Sequence, residues 1–249
     1  REIARYPIEG LALLFIRRPP LLEYEAPLVE GFMREYGEDP RQLDPRDPRW
    51  LSWRAGVMTD FMRQVRKAMD DLAEEQRRPR RLDITAVISG RHDENALYSF
   101  DAATWAREGL IDTLVPYTEQ PALDSAAESW VDLDVVRQWV EMTRGTATKL
   151  AFSILPRWLT PEEYRRKAAA LYGLGADYLF LWDCDARANV AGAGWYRMMT
   201  DQHAWNTLRR LGHRDEIDAW IKAGEPAIRP VQRPLSKLGD WDMRYETPG

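Results

Sequence analysis

The spacing of short apolar runs constrains this chain more than any other feature. Strand-like stretches rich in β-branched and aromatic residues occur at Ile8–Ile16, Asp83–Ser89, Asp112–Pro116, Leu150–Leu155 and Tyr178–Trp182. Each is nearly continuously apolar, as parallel strands covered on both faces are. Helical patterns separate them: Trp50 to about Gln76, a short helix begun by Asp101 and stopped by Gly109, Asp132–Thr143, and Trp195–Leu211. A further helix opens with Thr160-Pro161-Glu162-Glu163, a capping box, and Gly173 or Gly175 can close it. On the long helix, Val57, Met58, Phe61, Val65, Met69 and Leu72 are the expected buried side.

Strands alternating with helices predict an α/β fold with a parallel sheet. After the first connection, strand starts fall at 83, 112, 150 and 178, close to the repeat of a (β/α)8 TIM-type barrel. Such a barrel runs to about 250 residues over eight units. This chain has 249 residues but only five visible strands, because residues 18–82 are used by one connection. Together with the Arg1 start, the expectation is a partial barrel over residues 1–223, with upstream units missing. A complete five-stranded open sheet with helices on both faces is the alternative. Residues 224–249, interrupted by Pro226, Pro230, Pro234 and Pro248, form a C-terminal extension.

Composition removes several function classes. Lys+Arg number 35 against Asp+Glu 40, a net charge of -5, which does not suit a nucleic-acid binder. The longest apolar run, Leu11–Ile16, is too short to span a bilayer. The one cysteine, Cys184, allows neither an internal disulfide nor a cysteine-based zinc cluster, and it does not fix the compartment. No Gly-rich phosphate loop follows a strand and no G-x-S-x-G elbow occurs. The basic run Arg77-Arg78-Pro79-Arg80-Arg81 reads as a solvated turn at the bottom of the sheet rather than a binding patch. His92-Asp93-Glu94 and Asp183-Cys184-Asp185 each offer half of a metal site, without a partner set at ligand spacing. No cofactor is expected.

In parallel sheets ligands bind at the carboxyl ends of the strands. The segments after the five strands carry Arg17, Tyr24 and Glu25; Arg91, His92, Asp93 and Glu94; Tyr117 and Glu119; Arg157 and Trp158; and Trp182, Asp183, Asp185 and Arg187. Carboxylates, arginines and aromatics gathered on one face suit a carbohydrate, since rings stack on sugar faces and charged groups bind hydroxyls. Of the 11 tryptophans, Trp50, Trp53, Trp105, Trp139, Trp205 and Trp220 sit in helical patterns and are expected to pack. Glycoside hydrolysis uses two carboxylates. Glu25, Glu119, Asp183 and Asp185 are available, and Asp183 stands directly at a strand end.

The runs GLALLFIRRPPLLEYEAP, YGEDPRQLDPRDPRWLSWRAGVMTDF, DAATWAREGLIDTLVPY, LTPEEYRRKAAALYGLGADYLFLWD and WNTLRRLGHRDEI resemble bacterial family-10-like glycosyl hydrolases of planctomycete type. The likeness covers roughly residues 2–221. It implies a (β/α)8 barrel whose visible strands are about the fourth to the eighth. It also implies an upstream half, and often an export signal, in typical members. Two departures matter. Relatives carry an acidic residue where this chain has Leu14, and family 10 xylanases place a glutamate at a strand end that here reads Ala151-Phe152-Ser153-Ile154-Leu155-Pro156. The expected activity is therefore glycosidase chemistry on a poly- or oligosaccharide, with Glu25 and Asp183 as the carboxylate pair and Glu119 as substitute. Arg17, Tyr24, Tyr117, Trp158, Trp182, Asp185 and Arg187 are the expected sugar-binding residues. The competing expectation is a non-catalytic carbohydrate-binding barrel that has lost its acids.

Overall fold

The computed structural model describes residues 2, 6–16, 20–117, 133–154, 161–181 and 208–223. Its element order is β1 (Gly10–Leu14), α1 (Ala26–Tyr36), α2 (Pro48–Glu75), β2 (Asp83–Ser89), α3 (His92–Leu97), α4 (Ala102–Arg107), β3 (Thr113–Tyr117), α5 (Leu133–Thr143), β4 (Lys149–Ser153), α6 (Pro161–Leu174), β5 (Tyr178–Phe180) and α7 (Arg214–Ala223). Two compact units divide the chain: Arg1–Glu119 with Gln138–Leu150, and Gln120–Arg137 with Ala151–Gly249. The Thr160 cap, most of Trp195–Leu211 and the 224–249 extension lie outside the described residues.

The fold is α/β, with a five-stranded parallel sheet in chain order, β1-β2-β3-β4-β5. Lys149 and Leu150 pair with β3 in the first unit, and Ala151–Ser153 pair with β5 in the second. A doubly wound sheet reverses its strand order at a switch point, which is how its helices reach both faces. The described strands show no reversal. With right-handed crossovers, β1, β2 and β3 taken in order carry their connecting helices on one side, an arrangement compatible with part of an α/β barrel.

Register separates the two faces of the first unit. Leu14, Val87 and Val115 lie side by side, as do Ser89 and Tyr117, so Gly10, Ala12, Leu14, Thr85, Val87, Ser89, Thr113, Val115 and Tyr117 share one face. The other face is aliphatic: Leu11, Leu13, Ile84, Ala86, Ile88 and Leu114. Phe15 extends it, with its N–H on the Val87 carbonyl (2.9 Å) and its ring 5.2 Å from Phe100 and 5.9 Å from Trp105. Trp105 in turn donates to the Thr59 hydroxyl of α2 (3.1 Å), which places α2 and α4 over this aliphatic face. Gly10 allows the close approach of β1 to β2, because a Cβ there would meet the Asp83 carbonyl oxygen at 2.5 Å. β1 has β2 as its only partner among the described strands, and Leu14 is 49% exposed.

Helix α2 starts at Pro48 because the Asp47 side chain accepts from the Arg49 N–H (2.8 Å) and proline suits a first helical position. Its buried stripe bears out half of the sequence expectation and corrects the rest. Trp50, Arg54, Met58, Thr59, Met62, Arg66, Met69, Leu72 and Ala73 are buried, Val57 and Val65 are half-buried, and Phe61 is 45% exposed. Reading apolar residues alone found Met58, Met69 and Leu72 but not Arg54 and Arg66, whose partners lie elsewhere in the chain. Helix α1 packs Leu28 and Phe32 against Trp50, and Gly31 leaves room for the Trp53 ring. Helix α4 follows expectation: Asp101 accepts from the Thr104 N–H (3.0 Å), and Gly109 takes a left-handed φ of 66° just past its end.

At the amino end of this sheet one carboxylate ties two strands together. Asp112 Oδ2 accepts from the Ile84 N–H (2.7 Å) and from buried Arg66 (3.0 Å), and Asp112 Oδ1 pairs with Arg81. Arg66 also donates to the Leu82 carbonyl (2.7 Å) and pairs with Asp70 (2.7 Å).

In the second unit α6 buries Tyr164, Ala168, Leu171 and Tyr172, and Gly175 closes the helix with φ 112°. The Tyr172 hydroxyl donates to the Leu211 carbonyl (3.0 Å). Trp220 of α7 takes the Arg165 and Arg210 guanidinium groups at 4.9 and 4.0 Å from its ring.

Candidate functional site

The segment after β1 is fixed from below by α2. Arg54 donates to the Leu22 carbonyl (2.9 Å) and to the Leu97 carbonyl at the end of α3 (3.2 Å). It thereby ties the chain after β1 to the chain after β2. Its guanidinium lies 5.4 Å from the Trp50 ring, and Tyr24 stacks on that ring at 5.3 Å and 16°. Tyr24 keeps 39% of its surface exposed, so a ring in the loop between β1 and α1 is presented to solvent. Burial depresses the Arg54 pKa, with Tyr24, Glu23 and Glu25 acting in the opposite direction.

Glu25 is exposed and opens α1 with its backbone: its carbonyl accepts from the Leu28 and Val29 N–H groups (2.9 and 3.1 Å). Its carboxylate accepts from the Glu23 N–H (2.9 Å), which curls the loop and fixes one oxygen.

The end of β2 carries the second polar group. The Ser89 hydroxyl donates to Glu94 Oε2 and accepts from the Arg91 N–H (3.2 Å). Arg91 forks onto Asp93 (3.2 and 2.8 Å) and stands 3.3 Å from Glu94 Oε1. That fork holds the Asp93 carboxyl below its usual range and raises Arg91. Asn95 donates to the Ser89 carbonyl (2.8 Å), while its Oδ1 is buried without a partner among the described residues. His92 stacks on Trp139 of α5 at 3.9 Å and 22°, and Trp139 donates to the Gly90 carbonyl (2.9 Å). His92 Nε2 is buried with no partner among the described residues, and burial lowers the pKa of this imidazole.

Of the expected site residues, Tyr24 and Glu25 fall together on the loop after β1. Tyr117 ends β3, is buried, and is registered beside Ser89. Arg17, Glu119, Trp158, Trp182, Asp183, Asp185 and Arg187 lie outside the described residues. Trp50, Trp105 and Trp139 are packed, as expected of helix residues. Sequence reading missed Ser89 and Arg54; it placed Glu94 at a strand end and in a metal half-site, but not among the carboxylates for glycoside hydrolysis. The alternation Thr85, Val87, Ser89 against Ile84, Ala86, Ile88 marks Ser89 as facing away from the aliphatic side, and that signal was available. Among the described residues no group of three or more His, Cys, Asp or Glu is placed to hold a metal ion.

A cleft of about 550 Å³ opens at the opposite end of the sheet, lined by Asp70, Ala73, Glu74 and the turn Arg77–Arg81. Three of its arginines are engaged by the chain itself: Arg78 on Gln76 and the Ile8 carbonyl, Arg80 on Glu9 and Arg81 on Asp112. This supports reading the basic run as a structural turn. No described helix is long and apolar enough to cross a membrane.

The chain matches no protein-family model and no curated protein.

Proposed function

We propose that this protein is a glycoside hydrolase on a (β/α)8 TIM-type barrel, acting on a poly- or oligosaccharide by carboxylate acid/base chemistry. The barrel part of the reading is supported by the chain-order parallel sheet and by helices over one face of the first unit. The family-10-like resemblance of the sequence supports the chemistry. The single observation that carries it is Tyr24, an exposed ring stacked on Trp50 in the loop between β1 and α1, next in sequence to Glu25. An immobilised aromatic next to a carboxylate is what sugar binding and glycosidic bond cleavage both use.

Release of reducing ends from a panel of glycans tests the reading. The wild-type protein is expected to turn over at least one of them, and Glu25→Gln or Asp183→Asn to lower kcat by about 10²- to 10⁴-fold. Unchanged turnover in a variant removes that residue from catalysis.

One observation favours a second reading, a carbohydrate-binding barrel without catalysis. Leu14 stands on the face shared with Val87 and Val115, where the resemblance implies an acid, and its side chain is half exposed. Saturable glycan binding with no bond cleavage in long incubations would decide for it.

A further inference from the structure

We propose that Glu94, in the place given to Glu25 above, is one of the two working carboxylates and that Ser89 is its positioning residue. The assignment rests on the glycosidase reading above and adds to it a residue at the end of a different strand. Three observations carry it. Glu94 follows β2 at its carboxyl end, where ligands of parallel sheets bind, and its side chain is 36% exposed, so a substrate can reach it. One of its oxygens accepts from the hydroxyl of Ser89, the last residue of β2. Ser89 is registered beside Tyr117 on the face opposite the aliphatic one.

An ordinary surface ion pair explains Glu94 less well. Arg91 gives its fork to Asp93, with contacts of 3.2 and 2.8 Å, and leaves Glu94 only a 3.3 Å contact. The stronger hold on Glu94 comes from a hydroxyl on the sheet, and a strand end fixes a side chain better than a loop does. Glu25, by contrast, sits on an exposed loop and is steadied by a backbone N–H two residues away.

In the reaction, the Glu94 carboxylate either takes a proton from the attacking water or bonds to the anomeric carbon itself. In both cases the leaving-group C–O bond breaks, its electron pair stays on the oxygen, and that oxygen takes a proton from the partner carboxylic acid. In the second case water later cleaves the glycosyl ester and restores the carboxylate.

The test uses the full chain and whichever glycan or aryl glycoside the wild type turns over. Glu94→Gln is expected to lower kcat by about 10²- to 10⁴-fold, with KM and Tm little changed. Added azide should restore turnover and yield a glycosyl azide, the small anion taking the place of the missing carboxylate. Ser89→Ala should lower kcat with KM held, and Ser89→Thr, which keeps the hydroxyl, should recover most of the loss. A structural role alone would move Tm and leave no azide product. Full turnover by Glu94→Gln overturns the assignment and leaves the hydrolase reading standing. No turnover of any substrate by the wild type overturns both.

Discussion

The two ends of the first unit's sheet solve the same problem in opposite ways. Each places a buried arginine of α2 against the chain that leaves or enters the strands. At the amino end Arg66 meets Asp112 and Asp70, and Asp112 also takes a backbone N–H and Arg81. Charge there is matched by charge. At the carboxyl end Arg54 has two carbonyls and an aromatic ring but, among the described residues, no carboxylate in contact and no partner for its Nε. His92 and Asn95 also leave buried polar atoms unpartnered on that side, whereas at the amino end Arg66 Nε is the one such atom among the described residues. Buried polar atoms are normally satisfied, so a concentration of exceptions calls for a reason. In parallel sheets the amino end serves stability and the carboxyl end serves ligands. The contrast here follows that division.

Substitutions can break the contrast or sharpen it. The largest effect is expected from Asp112→Ala, which leaves buried Arg66 with Asp70 as its one carboxylate, releases Arg81 and strips the Ile84 N–H of its side-chain acceptor; urea denaturation should show a loss of about 3 kcal/mol. Arg54→Met should cost about 1–2 kcal/mol in the same measurement, because it leaves two carbonyls unpaired but no buried counter-charge. Its effect on ligand binding should be the greater one. An equal stability loss in the two variants would remove the distinction between the ends.

His92→Phe keeps the stack on Trp139 and deletes an unpartnered nitrogen, so stability should hold or rise by up to about 1 kcal/mol. The same variant tests pH dependence. Burial keeps His92 in the folded protein below its ordinary 6.5. As pH falls, the unfolded chain therefore takes the proton first, and stability declines from about pH 6.5 downward through the folded value. The decline should be shallower in His92→Phe, read from Tm across that window. The smallest effect is expected from Arg80→Ala, whose partner Glu9 is 82% exposed: a shift within about 0.5 kcal/mol.

Much of the fold was legible because its signals are local. The five strands were found from continuous apolar runs, with β2 matched end to end and the others within a few residues. Asp101 and Gly109 marked α4, and Gly175 marked the end of α6. The α2 stripe was legible only in part, since Arg54 and Arg66 become core residues through partners far away in sequence. Helices α1 and α3 were not read, and of α7 only Trp220 was placed in a helical pattern: α3 spans only six residues, and its Glu94 gains its meaning from a serine on the preceding strand. Of the candidate site, Tyr24, Glu25 and Tyr117 were legible from the rule about strand ends. The tie between the loops after β1 and β2 was not, because it depends on one arginine touching two carbonyls 43 and 32 residues away.

Strand β1 carries a consequence for how the protein behaves in a test tube. The Asp83 N–H bonds the Glu9 carbonyl and the Phe15 N–H bonds the Val87 carbonyl, so odd-numbered residues face β2. By the two-residue period, Gly10, Ala12 and Leu14 turn their amides outward. Natural edges are blunted with lysine, proline or a bulge, and Gly-Leu-Ala-Leu-Leu holds none of the first two. With β2 as the one partner of β1 among the described strands, concentration becomes a variable of the sample: crowding the molecules raises the rate at which one such edge finds another, and light scattering should climb with dose and time even while the helices stay folded.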